Sequence, residues 1–64
     1  MKKLSYLQIH NQYHGVIEEY TQTEKWGIEV KVNNEPTHHN TVLTMGEILH
    51  VAETTEAFTV LEKR

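Results

Sequence analysis

The chain of 64 residues contains no cysteine, no aspartate and a single serine. Without cysteine it has neither disulfides nor thiolate metal ligands. A Ser-His-acid triad would have to join Ser5 to a distant histidine and glutamate, so nucleophilic catalysis has poor raw material. The glycines are isolated at positions 15, 27 and 46, which excludes a glycine-rich phosphate loop. We therefore predict that the protein is not an enzyme and uses no cofactor.

The net charge is also small, and the sequence has no long apolar run. The net charge is −3 with the histidines neutral, and this creates no field that favours nucleic acid. No apolar run approaches the ~20 residues of a membrane span. Polar residues interrupt the N-terminal segment where a signal peptide would need its apolar core. We expect one small domain over residues 1–64, located in the cytoplasm and without a membrane partner.

Five histidines raise the question of a metal site. His10 and His14 are four residues apart, and on a strand this spacing separates their Cα atoms by ~13 Å, too far for one ion. His38 and His39 are adjacent and point in opposite directions in an extended chain, while His50 stands alone. We predict exposed or locally hydrogen-bonded histidines and no metal site.

The densest apolar stretch lies between residues 43 and 61 and carries the clearest local signal. Thr44 and Glu47 form the Thr-x-x-Glu pattern of a capping box directly before an apolar pair. This pattern predicts a helix over about 45–53, followed by a buried strand over 57–61. In the alternative interpretation, residues 47–52 stay extended as a strand of an SH3-like small barrel.

Strand patterns fill the first half of the chain. Residues 26–33 alternate strictly, so that Trp26 shares one face with the apolar residues that follow it and becomes a core or core-edge residue. Residues 15–23 are rich in β-branched and aromatic side chains and would pair with 26–33 as a hairpin. Residues 4–22 also fit one helix, but Gly15 and its weak helix-forming neighbours favour two strands joined by a turn.

The segment between the hairpin and the helix is polar. Residues 33–36, Asn-Asn-Glu-Pro, predict a turn, because asparagine tolerates positive φ and proline cannot continue a ladder. We expect residues 37–40 to be an exposed loop and residues 41–43 to add a short strand. The fold class is then α+β, an antiparallel sheet of three to four strands with one short helix packed on it.

A family resemblance points to the same architecture. Its features are a VNN turn between two strands, a helix start with the sequence LTMGEILHVA, and a following strand that ends in VLE. In these features residues 28–62 resemble β-grasp ubiquitin-like domains of the bacterial multiubiquitin type. The resemblance implies a sheet with one helix and does not extend to a modifier function, and residues 1–25 have no counterpart in it.

The most probable function from the sequence is non-enzymatic protein binding, because tyrosine and tryptophan supply large contact areas at low entropic cost. The predicted partner-binding residues are Tyr13, Glu18, Glu19, Tyr20, Trp26 and Lys31. One concrete form is a phage or mobile-element inhibitor that covers a surface of a larger host protein. Two alternatives stay open: a nucleic-acid module that uses Lys25, Trp26 and Lys31, and a self-associating subunit that buries a sheet edge or its tyrosine face.

Overall fold

The computed structural model describes residues 3–64. Its elements follow one another as five strands and one helix, with the helix between the last two strands. Their bounds are β1 Tyr6–Asn11, β2 Val16–Gln22, β3 Ile28–Val32, β4 Glu35–Asn40, α1 Met45–Thr54 and β5 Phe58–Lys63. No helix in this part of the chain is long and apolar enough to cross a membrane.

The strands form one open antiparallel sheet in the order β4-β3-β2-β1-β5. The first four strands are a meander, in which each strand pairs with the next one along the chain. The chain then crosses one face of the sheet as α1, and β5 adds to the far side of β1. The sheet is clamped there at its outer end, where the Ser5 N–H donates to the Arg64 carbonyl at 2.7 Å.

Two turns position the strands of the meander. Gly15 has a φ of 68° between β1 and β2, and Asn33 and Asn34 have φ values of 51° and 70° between β3 and β4. Positive φ at both central positions is the requirement of a tight type I′ hairpin turn, which asparagine satisfies. Of the turn predicted over residues 33–36, the part at Asn33 and Asn34 is confirmed, and it returns the chain directly along β3.

The capping box predicted at the start of the helix is present. The Glu47 amide donates to the Thr44 hydroxyl at 3.2 Å, and the Thr44 amide donates to the Glu47 carboxylate at 3.0 Å. Two of the four unpaired amides of the first turn are thereby satisfied. The helix therefore begins where the sequence predicts and ends at Thr54, one residue later than expected. The SH3-like alternative is wrong, because residues 47–52 are helical.

The core lies between α1 and the sheet. One face of the helix packs onto the inward side chains of the central strands and covers β1 and β5 most closely. The buried apolar residues are Leu7, Ile9, Ile28, Val30, Met45, Ile48 and Ala52. Within residues 3–64 the opposite face of the sheet carries no helix, and its side chains are mainly polar, as at Gln8, Glu19 and Lys31. The α+β class is therefore confirmed, with one helix on one face.

The strand count differs from the prediction, since the sheet has five strands instead of three to four. Residues 35–40, predicted as a turn and an exposed loop, form β4, and no strand forms at 41–43. Proline fits in β4 because this strand is at the edge of the sheet and has no ladder on its outer side. Pro36 lies opposite Lys31 next to an irregularity in the register.

Residues 4–22 form the two strands β1 and β2 and not one helix. This agrees with the favoured interpretation of the sequence. The alternation in β3 starts at Ile28, so the prediction that Trp26 belongs to the core face is wrong. The Thr23 hydroxyl accepts a hydrogen bond from the Trp26 amide and donates one to the Gly27 carbonyl. Gly27 has a φ of 77°. This turn reverses the chain between Trp26 and the strand.

Candidate protein-binding site

The residues predicted to bind a partner are spread over four places. Tyr13 is in the β1–β2 turn, and Trp26 is in the β2–β3 loop at the opposite end of the sheet. Glu18 and Tyr20 project from β2 toward the helix side, because they are paired with the buried Ile9 and Leu7. The remaining two, Glu19 and Lys31, lie opposite each other on the polar face.

On the helix side, Glu18 is the acceptor of a short hydrogen-bond network. One carboxylate oxygen accepts from the Tyr20 hydroxyl at 2.8 Å, and the other accepts from the Asn11 side-chain amide at 3.3 Å. The Asn11 side chain is 4% exposed, and its carbonyl oxygen also accepts from the His14 amide. The network therefore ties the β1–β2 turn to the middle of β2.

The environment of Tyr20 keeps its hydroxyl protonated. Burial raises the pKa of Tyr20 far above its ordinary value of 10.0, and the hydrogen bond to Glu18 raises it further. A phenol with such a pKa acts as a hydrogen-bond donor at neutral pH and has no capacity to act as a base. The Tyr20–Glu18 pair is thus suited to hold a group in place.

A pocket of about 130 Å³ opens beside this network. Its floor is formed by the sheet, with Glu18 and Tyr20 from β2 among the lining residues. Its rim is apolar, formed by Leu43 before the helix and Val51 on the helix, which is 47% exposed. The complete lining is Ile9, Glu18, Tyr20, Asn40, Leu43, Ile48, Val51, Ala52 and Phe58. The pocket combines apolar walls with a carboxylate, a hydroxyl and an amide, the composition of a small binding site.

The polar face holds a second tyrosine-glutamate pair. The Tyr6 hydroxyl donates to the Glu19 carboxylate at 2.6 Å, and the Arg64 guanidinium lies 4.3 Å from the centre of the Tyr6 ring. The hydrogen bond to Glu19 is the main cause that raises the pKa of Tyr6. Lys31 lies 3.9 Å from Glu29 on the same face. The cations on this face therefore already have partners, Glu29 for Lys31 and the Tyr6 ring for Arg64.

Two loops meet at the end of the sheet that carries Trp26. A Cβ atom on Gly27 would come within 2.5 Å of the Asn40 carbonyl oxygen and 3.1 Å of the Thr41 methyl group, so the two loops pack backbone to backbone. Trp26 is 69% exposed on one loop and Val42 is 86% exposed on the other. Val42 therefore projects into solvent next to a rim residue of the pocket, since it precedes Leu43 in the chain, and Trp26 projects into solvent from the neighbouring loop.

The histidines are dispersed over the surface. Within residues 3–64, no three side chains of histidine, cysteine or acidic type converge closely enough to hold a metal ion. His38 is exposed on β4 and is hydrogen-bonded through its Nδ1 atom to the Thr37 hydroxyl at 3.0 Å.

Among the residues that build the site, sequence reasoning did not name Asn11 beside the pocket or Leu43 and Val51 at its rim. The alternation of Leu7 and Ile9 continues to Asn11 at the next inward position, before the turn expected around Gly15. That spacing was the signal which could have identified it. Leu43 and Val51 carry no signal in the sequence, because their position at the pocket depends on how α1 crosses the sheet.

Comparison of the chain with protein-family models, with curated proteins and with solved structures finds no match.

Proposed function

We propose that the chain is a non-enzymatic protein-binding module that covers part of the surface of a larger protein. The narrower form of this proposal is an inhibitor or regulator of a host protein, encoded by a phage or another mobile element. The single observation that carries the proposal is the exposure of Trp26 and Val42 on two packed loops.

Keeping these apolar side chains in water has a free-energy cost that burial against a partner would remove. An exposed tryptophan and an exposed valine at one end of a small domain add apolar surface that the fold itself does not use. Tryptophan is among the residues most enriched at the centres of protein interfaces. The Gly27–Asn40 contact fixes the backbone beneath Trp26. A partner would therefore lose little entropy in ordering the loop.

The chemistry beside these loops supports binding rather than catalysis. In the pocket, Tyr20 is held protonated and donates to Glu18. Within the described chain, the pocket lining contains no serine, cysteine, lysine or histidine to act as a nucleophile. The alternative of nucleic-acid binding has weaker support, because the charge of Lys31 lies 3.9 Å from the Glu29 carboxylate.

The test is a paired substitution at this end of the sheet. The chain is first used to capture and identify a partner in its native host, and binding is then measured with both purified proteins. Trp26→Ala combined with Val42→Ser should weaken the affinity at least ~10-fold, the loss expected for an interface anchor. Both positions are exposed, so the melting temperature of the free chain should change little.

Tyr13→Ala is the matched control, since Tyr13 is an equally exposed aromatic residue at the opposite end of the sheet. It should leave the affinity within about twofold of the original value, an effect typical of positions outside the interface centre. If Tyr13→Ala weakens binding and the Trp26 pair does not, the contact surface lies at the other end and this assignment is wrong. If only a second copy of the chain is captured, the self-associating alternative replaces the proposal.

A further inference from the structure

The carboxylate of Glu18 borders the pocket and is not among the glutamates that pair with a cation. Ion pairs within residues 3–64 join Lys31 to Glu29, Lys63 to Glu53 and Arg64 to Glu62. Among these residues no cation lies within ion-pair distance of Glu18. Its hydrogen-bond donors are the neutral groups of Tyr20 and Asn11.

The geometry leaves this carboxylate with capacity for a further donor. A carboxylate accepts about four hydrogen bonds, and Glu18 receives one at each oxygen from the protein. It lines the pocket under the apolar rim of Leu43 and Val51. A ligand that fits this arrangement has a cationic end for the floor and an apolar stem for the rim.

The size of the pocket limits the ligand to a single side chain. Its volume of about 130 Å³ is close to that of the roughly 150 Å³ engineered cavity that admits one benzene molecule. An arginine side chain meets the chemical requirements best. Its guanidinium donates to both oxygens of a carboxylate at once, is weakly hydrated, and packs its methylene stem against apolar surface.

We propose that this pocket receives one arginine side chain of the protein partner, with Glu18 as its counter-charge. This inference rests on the proposed protein-binding function and names the chemistry of the partner. The net charge of −3 supports a basic partner surface. The Trp26 and Val42 loops would provide the apolar contact, and the pocket would provide the specific one.

The test uses the full chain and a small arginine probe, so that it does not depend on the identity of the partner. N-acetyl-arginine methylamide is titrated into isotope-labelled protein, and the methyl signals of Leu43, Ile48 and Val51 are followed. Saturable shifts in the millimolar range are expected, because one ordered side chain supplies a small part of an interface. The citrulline analogue, which has nearly the same shape without the charge, should give no saturable shift.

Substitutions locate the binding. Glu18→Gln keeps the size of the side chain and should weaken the arginine probe roughly tenfold to a hundredfold, the range expected for a charge-assisted hydrogen bond. Glu19→Gln is the matched control, because it removes the neighbouring carboxylate on the other face. It should leave the affinity for the probe unchanged within about twofold, since Glu19 lies on the face of the sheet opposite the pocket, where water and salt screen its charge.

A second variant keeps the test valid if Glu18→Gln fails to fold. Val51→Trp changes a half-exposed helix position and fills the mouth of the pocket, so probe binding should be lost while the helix remains. Equal binding of the citrulline analogue would show an apolar pocket without charge selection and would overturn the proposal. Stronger binding of the lysine analogue would overturn the assignment to arginine.

This inference and the proposed function fail by different results. If the Trp26 and Val42 substitutions abolish partner binding while the arginine probe does not bind, the protein-binding function stands and the pocket assignment is wrong. If the probe binds at Glu18 while those substitutions leave partner binding intact, the pocket stands and the surface assigned to the two loops is wrong.

Discussion

Two adjacent glutamates on β2 each accept a hydrogen bond from a tyrosine hydroxyl, but in different surroundings. Glu18 accepts from Tyr20 on the helix side, and Glu19 accepts from Tyr6 on the polar face. The first pair borders the core and a pocket, and a buried asparagine is its further donor. The second pair has the Arg64 guanidinium over its tyrosine ring.

The difference shows that the surroundings of a tyrosine-glutamate pair, more than the bond itself, decide its consequence. For Tyr20 the largest cause of the raised pKa is burial, whereas for Tyr6 it is the hydrogen bond to Glu19. A carboxylate near water loses little when its donor is removed, because water replaces the donor. Beside the core, the apolar lining of the pocket makes water a poorer replacement for the donor. The following predictions test this contrast between the two faces.

The largest effect is expected from the helix side of β1. Leu7 is fully buried, and Leu7→Ala should cost about 2–5 kcal/mol of unfolding free energy through lost burial and a residual cavity. That is a large part of the roughly 3–10 kcal/mol expected for a domain of this length. Denaturant titration measures the loss. Gln8→Ala, one residue along on the polar face, should stay within about 0.5 kcal/mol, and equal losses would contradict the contrast.

The next effect separates the two tyrosines. Tyr20→Phe should cost about 1–3 kcal/mol, because it leaves a half-buried carboxylate short of a donor. Tyr6→Phe removes the equivalent donor near water and should cost about 0.5 kcal/mol or less. Thermal and denaturant unfolding of both variants check the difference. If Tyr6→Phe is the more damaging of the two, the polar face contributes more to stability than the structure indicates.

α1 covers only one face of the sheet and so makes the two faces different. The cap at its start should contribute less to the unfolding free energy than the residues considered above. Thr44→Ala removes the hydroxyl that accepts from the Glu47 amide and should cost roughly 1 kcal/mol. Thr41→Ala, in the loop just before, is a suitable control and should have less effect. An unchanged unfolding free energy in Thr44→Ala would show that the capping box adds nothing to this helix.

The last effect on the unfolding free energy is absent at neutral pH and appears only at alkaline pH. Since the folded-state pKa of Tyr20 lies above its ordinary value of 10.0, its contribution is complete below about pH 10 and is lost as the pH rises toward the folded-state pKa. Unfolding free energy should therefore fall above pH 10, and it should fall less steeply in Tyr20→Phe. Phenolate absorbance should show Tyr20 ionising after Tyr6. Identical alkaline slopes for Tyr20→Phe and the unaltered chain would contradict the assignment.

Local sequence signals predicted the parts of this structure that depend only on residues adjacent in the sequence. The capping box at Thr44 and the asparagine turn at residues 33–34 each satisfy their own backbone groups, so they hold whatever surrounds them. β4 was missed because its residues are polar on both faces, and strand periodicity is invisible without apolar residues. An edge strand needs little burial, and the tight turn before it dictates the pairing.

The candidate site was predictable only in fragments. Glu18 and Tyr20 were named from composition, and the alternation of β2 places them on one face. The site itself also needs Leu43 and Val51, which reach it through the path of the helix across the sheet. The sequence predicts Trp26 in the core because the apolar alternation of residues 28–32 extends back to it in the sequence. The turn at Gly27 interrupts that alternation and releases the side chain into solvent.

The pairing of β5 with β1 has a consequence for how the chain folds. Residues close in sequence make the meander, but the last strand must find a partner more than forty residues away, for example His10 opposite Thr59. Closing so long a loop costs conformational entropy before any contact repays it. The helix packs against β5 as well as β1, so this docking also completes the surroundings of its apolar face. We therefore expect β5 docking to limit the folding rate, and the isolated meander to lack the cooperative unfolding of the whole domain.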